Sequence, residues 1–329
     1  MISPDLPAAL KAALETRLHG QSRQDAAARA ARISDTYRSG GNSGTIATDA
    51  DAIAYAVVRM PATYAAVTAS LNAMIQASPD FAPATLLDVG AGPGTASFAA
   101  AQAFTSLTSF NAIDANPALR TLALALAGDA ISSLGLSYAL GRAREMLEHA
   151  ASADLVIASY MIGELTDRER SAVVDALWVK TSHTLLIVEP GTPAGYQRIV
   201  AARDQLIAAG AHIAAPCPHA AVCPLIAPDW CHFVQRLARS RAHRELKGAD
   251  VPFEDEKFSF IALTRAPVPQ RPAARVLAPP VVTKVGVTAK LCEADGAVRP
   301  TSIPRRDKAA FAAARRWDWG DGVEPPLRP

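Results

Sequence analysis

The chain has 329 residues, half of them apolar, with a formal net charge of +2. That suffices for one large domain, or a domain and a half, whose core needs no crosslinks, so a disulfide-built scaffold is excluded. The opening residues lack the apolar core of a secretory signal and the basic, Ser-rich makeup of a transit peptide. No run of about 18 apolar residues occurs anywhere, and the expectation is a soluble cytoplasmic monomer that engages no membrane.

Residues 1–80 predict a helical lead-in. "DLPAALKAALETRL" offers Asp5 as an N-cap and Pro7 in the first turn, and "SRQDAAARAARISDTYR" and "DADAIAYAVVRMPATYAAVTASLNAMI" space their apolar residues by three and four. From 81 to 215, short apolar runs ("TLLDVG", "SFNAID", "LSYAL", "ADLVIASY", "TLLIVEP") alternate with helical patterns. That is the rhythm of an α/β protein with a mostly parallel sheet. Residues 216–329 predict a small appendage: a cysteine cluster, a basic helix in "QRLARSRAHRELKG", a strand-like "FSFIALTR", Pro-rich connectors, short strands around "VVTKVGVTAKLC" and a last basic helix, "RRDKAAFAAARR". Between Arg265 and Arg316, eleven Lys or Arg stand against three acids, Glu293, Asp295 and Asp307. Such a balance suits a polyanionic partner, and the plainer reading is a solvated face.

The strongest local motif is "LLDVGAGPGTASFAA". A buried strand ends in Asp88, and Gly90, Gly92 and Gly94 turn the chain into an Ala-rich helix, leaving backbone N–H groups bare for a close-lying ligand. A dinucleotide fingerprint requires Gly or Ala three residues after its second Gly, and Thr95 stands there. An acid two residues before the turn repels a pyrophosphate and attracts the ammonium of an amino-acid-bearing cofactor, directly or through water. Asp114, at the tip of the second strand, can accept both ribose hydroxyls of an adenosine. Its plainer role is to cap the next helix, which Asn116 can equally do. The set of Asp88, GxGxG and Asp114 resembles the class I S-adenosylmethionine-dependent methyltransferases. After the third strand, "GRAREMLEH" lacks the early acid or amide that often contacts the adenine.

No catalytic residue is identified. The stretch after the fourth strand, "ASYMIGEL", contains no Asn/Asp-Pro-Pro-Tyr/Phe motif, and no cysteine nucleophile lies in the fourth- or fifth-strand loops. Tyr160 and Glu164 are the candidate groups there, with Glu164 read first as a first-turn acid of the following helix. Glu189, in "VEPGTPAGYQRI", is placed to wall the same pocket.

Cys217, Cys223, Cys231 and Cys292 are separated by six, eight and sixty-one positions, unlike the paired CxxC of zinc ribbons. Two are followed by proline, as at the end of the bacterial ferredoxin run. On spacing alone zinc and an iron–sulfur cluster stand level, with buried structural thiols as the plain alternative. His219 and His232 read as hydrogen-bonded neighbours more than as ligands. Trp317 and Trp319 can stack on unpaired bases or plug the end of the chain.

Taken in order, "LLDVGAGPGTA", "SYMIGEL", "VEPGTPAGY", "PCPHAAVCPL", "DWCHF", "VPFEDEKFSF" and a late "KLC" followed by "PRRDK" resemble the methyltransferase-like family of small-ribosomal-subunit assembly factors, known from mitochondria and with bacterial relatives. The resemblance covers nearly the whole chain. It implies S-adenosylmethionine bound at Asp88, Gly90, Gly92 and Gly94, with Asp114 completing the cofactor site. It further implies a [4Fe–4S] cluster, with zinc as the alternative, on Cys217, Cys223, Cys231 and Cys292, and association with small-subunit ribosomal RNA in the immature subunit. An rRNA methyltransferase and a non-catalytic assembly factor are both compatible with it, and a small-molecule methyltransferase is the third option.

Overall fold

Three helices open the chain in the computed structural model, which describes residues 1–130 and 135–325: α1 (Ala8–Leu18), α2 (Arg23–Arg38) and α3 (Asp49–Ala77). Asp5 does not cap α1, which starts after Pro7 without a side-chain cap. A reciprocal cap starts α3: the Thr48 hydroxyl accepts from the Asp51 N–H, and the Asp51 carboxylate accepts from the Thr48 N–H. The same buried carboxylate receives Arg29 at 2.9 Å and Arg32 at 2.6 Å, which fastens α2 to α3.

The alternation that follows is β1 (Thr85–Val89), α4 (Thr95–Ala103), β2 (Ser109–Asp114), α5 (Pro117–Ala130), β3 (Leu136–Leu140), α6 (Ala143–His149), β4 (Ala153–Ser159), α7 (Asp167–Lys180), β5 (Thr181–Pro190) and α8 (Pro193–Ala208). β6 (His212–Ala215), β7 (Phe233–Ala238), α9 (Arg241–Lys247) and β8 (Phe253–Thr264) complete the layer. Strand order is β3-β2-β1-β4-β5-β8-β6, with β1 to β5 parallel and β8 antiparallel to its neighbours β5, β6 and β7. This is the expected Rossmann-like class I methyltransferase fold. Alternation along the central strands decides both faces: Leu86, Leu155, Ile157, Leu186 and Val188 pack toward α3, α4 and α5, while Leu87, Val156, Leu185 and Ile187 pack toward α7 and α8.

The sheet continues beyond residue 215, because the apolar half of β8 is inserted between β5 and β6. The stretch read as one basic helix divides in two. Its first half is β7, whose Arg236 lies opposite Asp255 of β8, and only its second half is the helix α9.

A second, five-stranded antiparallel sheet is built from β9 (Ala274–Val276), β10 (Val281–Val282), β11 (Gly286–Glu293), β12 (Val298–Pro304) and, after α10 (Lys308–Ala314), β13 (Gly322–Val323). Its core has two parts that share Trp317: Ala274, Val276, Ala289, Leu291 and Val323, and Val287, Ile303 and Ala314 under α10.

Asn116 joins the lead-in to the sheet. Its side-chain oxygen accepts from the Leu119 N–H and so caps α5, while its amide donates to the Ser43 and Ile46 carbonyls at 2.9 Å each. Asn116→Ala removes the cap and the donor to the buried Ile46 carbonyl, so a loss of about 1–3 kcal/mol is expected in urea unfolding.

Candidate functional site: a glycine-turn cavity and a cysteine pocket

β1 delivers the chain to its C-terminal edge at Val89, and the glycine turn follows. Gly90 has φ +70°, and a Cβ there would come within 2.4 Å of the Met161 Cβ, so no larger residue fits. Gly92, at φ +54°, gives its N–H to the Asp114 carboxylate at 2.9 Å. Above this edge lies a cavity of about 760 Å³. Gly90, Gly92, Thr95 and Asp114 line it from the sheet, Tyr160 and Glu164 from the segment after β4, and Tyr37, Ser43 and Tyr55 from the lead-in. Ligands of open α/β sheets bind at this edge of the strands.

The three glycines and two acids do not all face the cavity. Gly94 backs onto Phe98 and Ala123. Asp88 is fully buried beneath the turn, where one carboxylate oxygen accepts from the Ser97 N–H (3.0 Å) and hydroxyl (2.8 Å) of α4. Burial, with a smaller push from the Asp114 charge, raises its carboxyl to about 7. Asp114 does face the cavity. It also accepts the Asn116 N–H, and since Asn116 itself caps α5, Asp114 is not the helix cap.

Glu164 departs from its reading as a helix-start acid. A reciprocal cap between Thr166 and Glu169 starts α7, so Glu164 falls outside the helix, in a single 3-10 turn at Ile162–Glu164. The T-x-x-E spacing at 166–169 was the available signal. Its carboxylate opens onto the cavity and accepts the Ser43 N–H at 3.3 Å. The surrounding protein lifts it to about 7, and the Asp114 and Glu189 charges add to the effect. Tyr160 has a left-handed φ of 56°, uncommon for a bulky residue, and its hydroxyl donates to Glu256 at 2.8 Å. Arg59 lies 3.5 Å from that same carboxylate. Glu189 is buried and receives the Arg198 Nε–H at 2.6 Å; burial holds its carboxyl above the ordinary range. Tyr37 and Tyr55, stacked at 6.0 Å, come from a lead-in whose helical periodicity gives no hint of a ligand.

The ionisable lining is four acids, Asp114, Glu145, Glu164 and Glu169, against Arg142 and Arg144. Such an excess of negative charge suits a cationic ligand and opposes a polyphosphate.

All four cysteines line one pocket of about 40 Å³ beside α8. The Tyr196 hydroxyl of α8 lies 3.1 Å from the Cys223 sulfur, and His219 Nε2 lies 3.4 Å from that of Cys292. Two buried arginines bind the loop that carries them. Arg203 donates to the His219 and Ala221 carbonyls, and Arg275 to those of Pro216 and Gly320. Burial and the other cysteines raise the Cys231 thiol, and they push Cys292 up to about 12. Among the described residues, no three His, Cys, Asp or Glu are gathered tightly enough to hold a metal ion. His232 stacks on Trp230 at 5.0 Å.

The basic stretch that includes β7 and α9 is largely neutralised by its surroundings, and the tail from Arg265 to Arg316 only in part. Arg236 pairs with Asp255 at 2.7 Å, Arg239 and Lys247 with Glu254, Arg241 with Glu245, Lys290 with Asp229, and Arg299 with Glu293 and Asp295. Arg265 caps the carbonyls of Trp178 and Thr181. Exposed cations persist on the small sheet and about α10: Lys284, Arg305, Arg306, Lys308, Arg315 and Arg316. Trp317 is packed into the small-sheet core and Trp319 against His232, so both act as plugs.

The raised Asp88 carboxyl has a pH consequence. The folded chain keeps a proton that the unfolded chain releases above about pH 4, so this group's stabilisation is full below that pH and is lost as pH rises through about 7. Asp88→Asn, which still accepts from Ser97, is expected to flatten the fall of melting temperature between pH 4 and 7.

A family model described as mitochondrial small ribosomal subunit Rsm22 matches residues 49–324. The human ribosome assembly protein METTL17, mitochondrial, is 29% identical over 306 residues, covering 86% of this chain and 64% of its own length. The mitochondrial Rsm22-cox11 tandem protein 2 of Schizosaccharomyces pombe is 26% identical over 326 residues, covering 83% of this chain and 43% of its own. The chain thus spans about two thirds and less than half of these relatives. Among solved structures, a magnesium protoporphyrin IX methyltransferase from Synechocystis is 16% identical, covering 70% of this chain and 90% of that one, with a TM-score of 0.42. A precorrin-6y C5,15-methyltransferase from Geobacter metallireducens is 12% identical, covering 59% and 86%, with a TM-score of 0.40. The expectation of a cytoplasmic protein is corrected by these names: the family and both relatives are mitochondrial, which points to the mitochondrion. With 276 consecutive positions under one family model, the chain belongs to the Rsm22 family.

Proposed function

We propose that this chain is a monomeric factor of small-ribosomal-subunit assembly. It holds S-adenosylmethionine in the glycine-turn cavity and a [4Fe–4S] cluster on Cys217, Cys223, Cys231 and Cys292, and turns the cations of its small sheet toward small-subunit ribosomal RNA. The observation that carries the cofactor part is the position of Asp114, at the C-terminal tip of β2 on the wall of an acidic 760 Å³ cavity beside a turn that only glycine can make. Asp114 would accept the ribose hydroxyls, the amides about Gly90 and Gly92 would approach the amino-acid portion, and the acidic lining suits a sulfonium. The assembly role is supported by the family and by the names of its relatives.

The four cysteines line one pocket, which is where a cluster would be held. Zinc stays the alternative, since four thiolates can hold either group. A four-iron cluster takes donors around a void, and the adjacent Arg203 and Arg275 offset thiolate charge. When bound, the cofactor would supply an activated methyl group and the cluster a covalent bridge between β11 and the loop that joins β6 to β7. A purely binding role is favoured by one feature: the Tyr160 hydroxyl on the acceptor side is already committed to Glu256.

Protein purified without oxygen is expected to be brown, with about four irons per chain; a colourless protein with one zinc overturns the cluster. Asp114→Asn, which keeps an acceptor for the Gly92 N–H, is expected to weaken cofactor binding at least about tenfold in calorimetry. Labelled cofactor incubated with immature small subunits then separates transfer from binding. Label in the RNA supports an rRNA methyltransferase, and tight cofactor binding with no transfer supports the non-catalytic factor.

A further inference from the structure

Glu164 is a cavity carboxylate without a cation. Among the described residues no Lys or Arg is paired with it: Arg170 on α7 gives its N–H groups to the Ile162 and Leu165 carbonyls and to Asp167, and Arg198 on α8 is taken by Glu189. The groups that do face it are Tyr37 from α2, Tyr55 from α3, Asp114 from β2 and Glu189 from β5. Burial holds both phenols well above the ordinary range, so they stay neutral, and both carboxylates repel it. Asp114 satisfies two backbone N–H groups and Glu169 caps α7, whereas Glu164 satisfies only the Ser43 N–H and the Tyr37 hydroxyl. Glu164 is exposed within the cavity, and with no cation paired to it its carboxylate is placed to attract one that enters.

We propose that Glu164 is the residue by which the cavity distinguishes a sulfonium cofactor from its neutral thioether product, so that S-adenosylmethionine is retained and S-adenosylhomocysteine released. This rests on the cofactor reading of the cavity given above. The two compounds differ by one methyl group and one positive charge. Contacts to the methyl are indifferent to the charge at position 164, and attraction to the charge is not. A unit charge within several ångströms, at effective dielectric constants between those of a protein surface and water, corresponds to about tenfold in affinity.

The test is calorimetric titration of both compounds at pH 8 into the full chain and into Glu164→Gln and Glu164→Asp. Glutamine keeps an acceptor for the Ser43 N–H and removes the charge; aspartate keeps the charge on a shorter arm. The native chain is expected to prefer S-adenosylmethionine about tenfold, Glu164→Gln to fall within about twofold of parity, and Glu164→Asp to retain part of the preference. Equal binding of the two compounds by the native chain, or an undiminished preference in Glu164→Gln, overturns the assignment while the cofactor site stands. Failure of both compounds to bind the native chain removes the cofactor reading, and this inference with it.

Discussion

The 2.9 Å hydrogen bond from the Gly92 N–H to the Asp114 carboxylate holds the candidate cofactor site in shape. It ties the turn after β1 to the tip of β2, and the other Asp114 oxygen accepts the Asn116 N–H. Asn116 in turn caps α5 and draws Ser43 and Ile46 of the lead-in over the sheet edge. Three consecutive layers of the cavity, glycine turn, strand tip and lead-in, are thus referred to one carboxylate. The cost of desolvating this half-buried carboxylate is offset in part by backbone N–H donors aimed at it.

Much of this was legible in the sequence because local chemistry and global fold agree there. Five apolar runs became β1 to β5 with their edges nearly as read, and the glycine spacing placed the turn. What was illegible has two physical origins. The lead-in looked like a generic helical segment, since nothing in an Ala-rich amphipathic pattern says that Tyr37, Ser43 and Tyr55 will face a cavity wall supplied by residues far along the chain. The stretch "QRLARSRAHRELKG" looked basic, since two of the acids that neutralise it, Glu254 and Asp255, lie on the partner strand β8, a pairing that charge counting along one segment does not register.

Glu164 illustrates the same lesson at one residue. An acid just ahead of a helix is ordinarily a dipole partner, and the chain has such acids in Asp167 and Glu169. Because Thr166 and Glu169 complete the cap between them, the helix begins too late to use Glu164, and the 3-10 turn leaves its carboxylate on the cavity side. The local capping pattern, read strictly, frees the residue. Only the tertiary structure says for what.

The cysteine pocket and the cavity share α8. Tyr196, in its first turn, meets Cys223; Arg198, two residues on, holds Glu189 behind the cavity; and Arg203 pins the carbonyls of the cysteine loop. On the far side of the pocket, β11 brings Cys292 and β9 brings Arg275, paired directly across the strands. The small sheet meets the main domain at this joint, where Arg275 also donates to the Pro216 carbonyl. Its exposed cations at Lys284 and about α10 are carried on that same sheet. The cysteine pocket and these exposed cations are therefore joined through β9 and β11 of one small sheet.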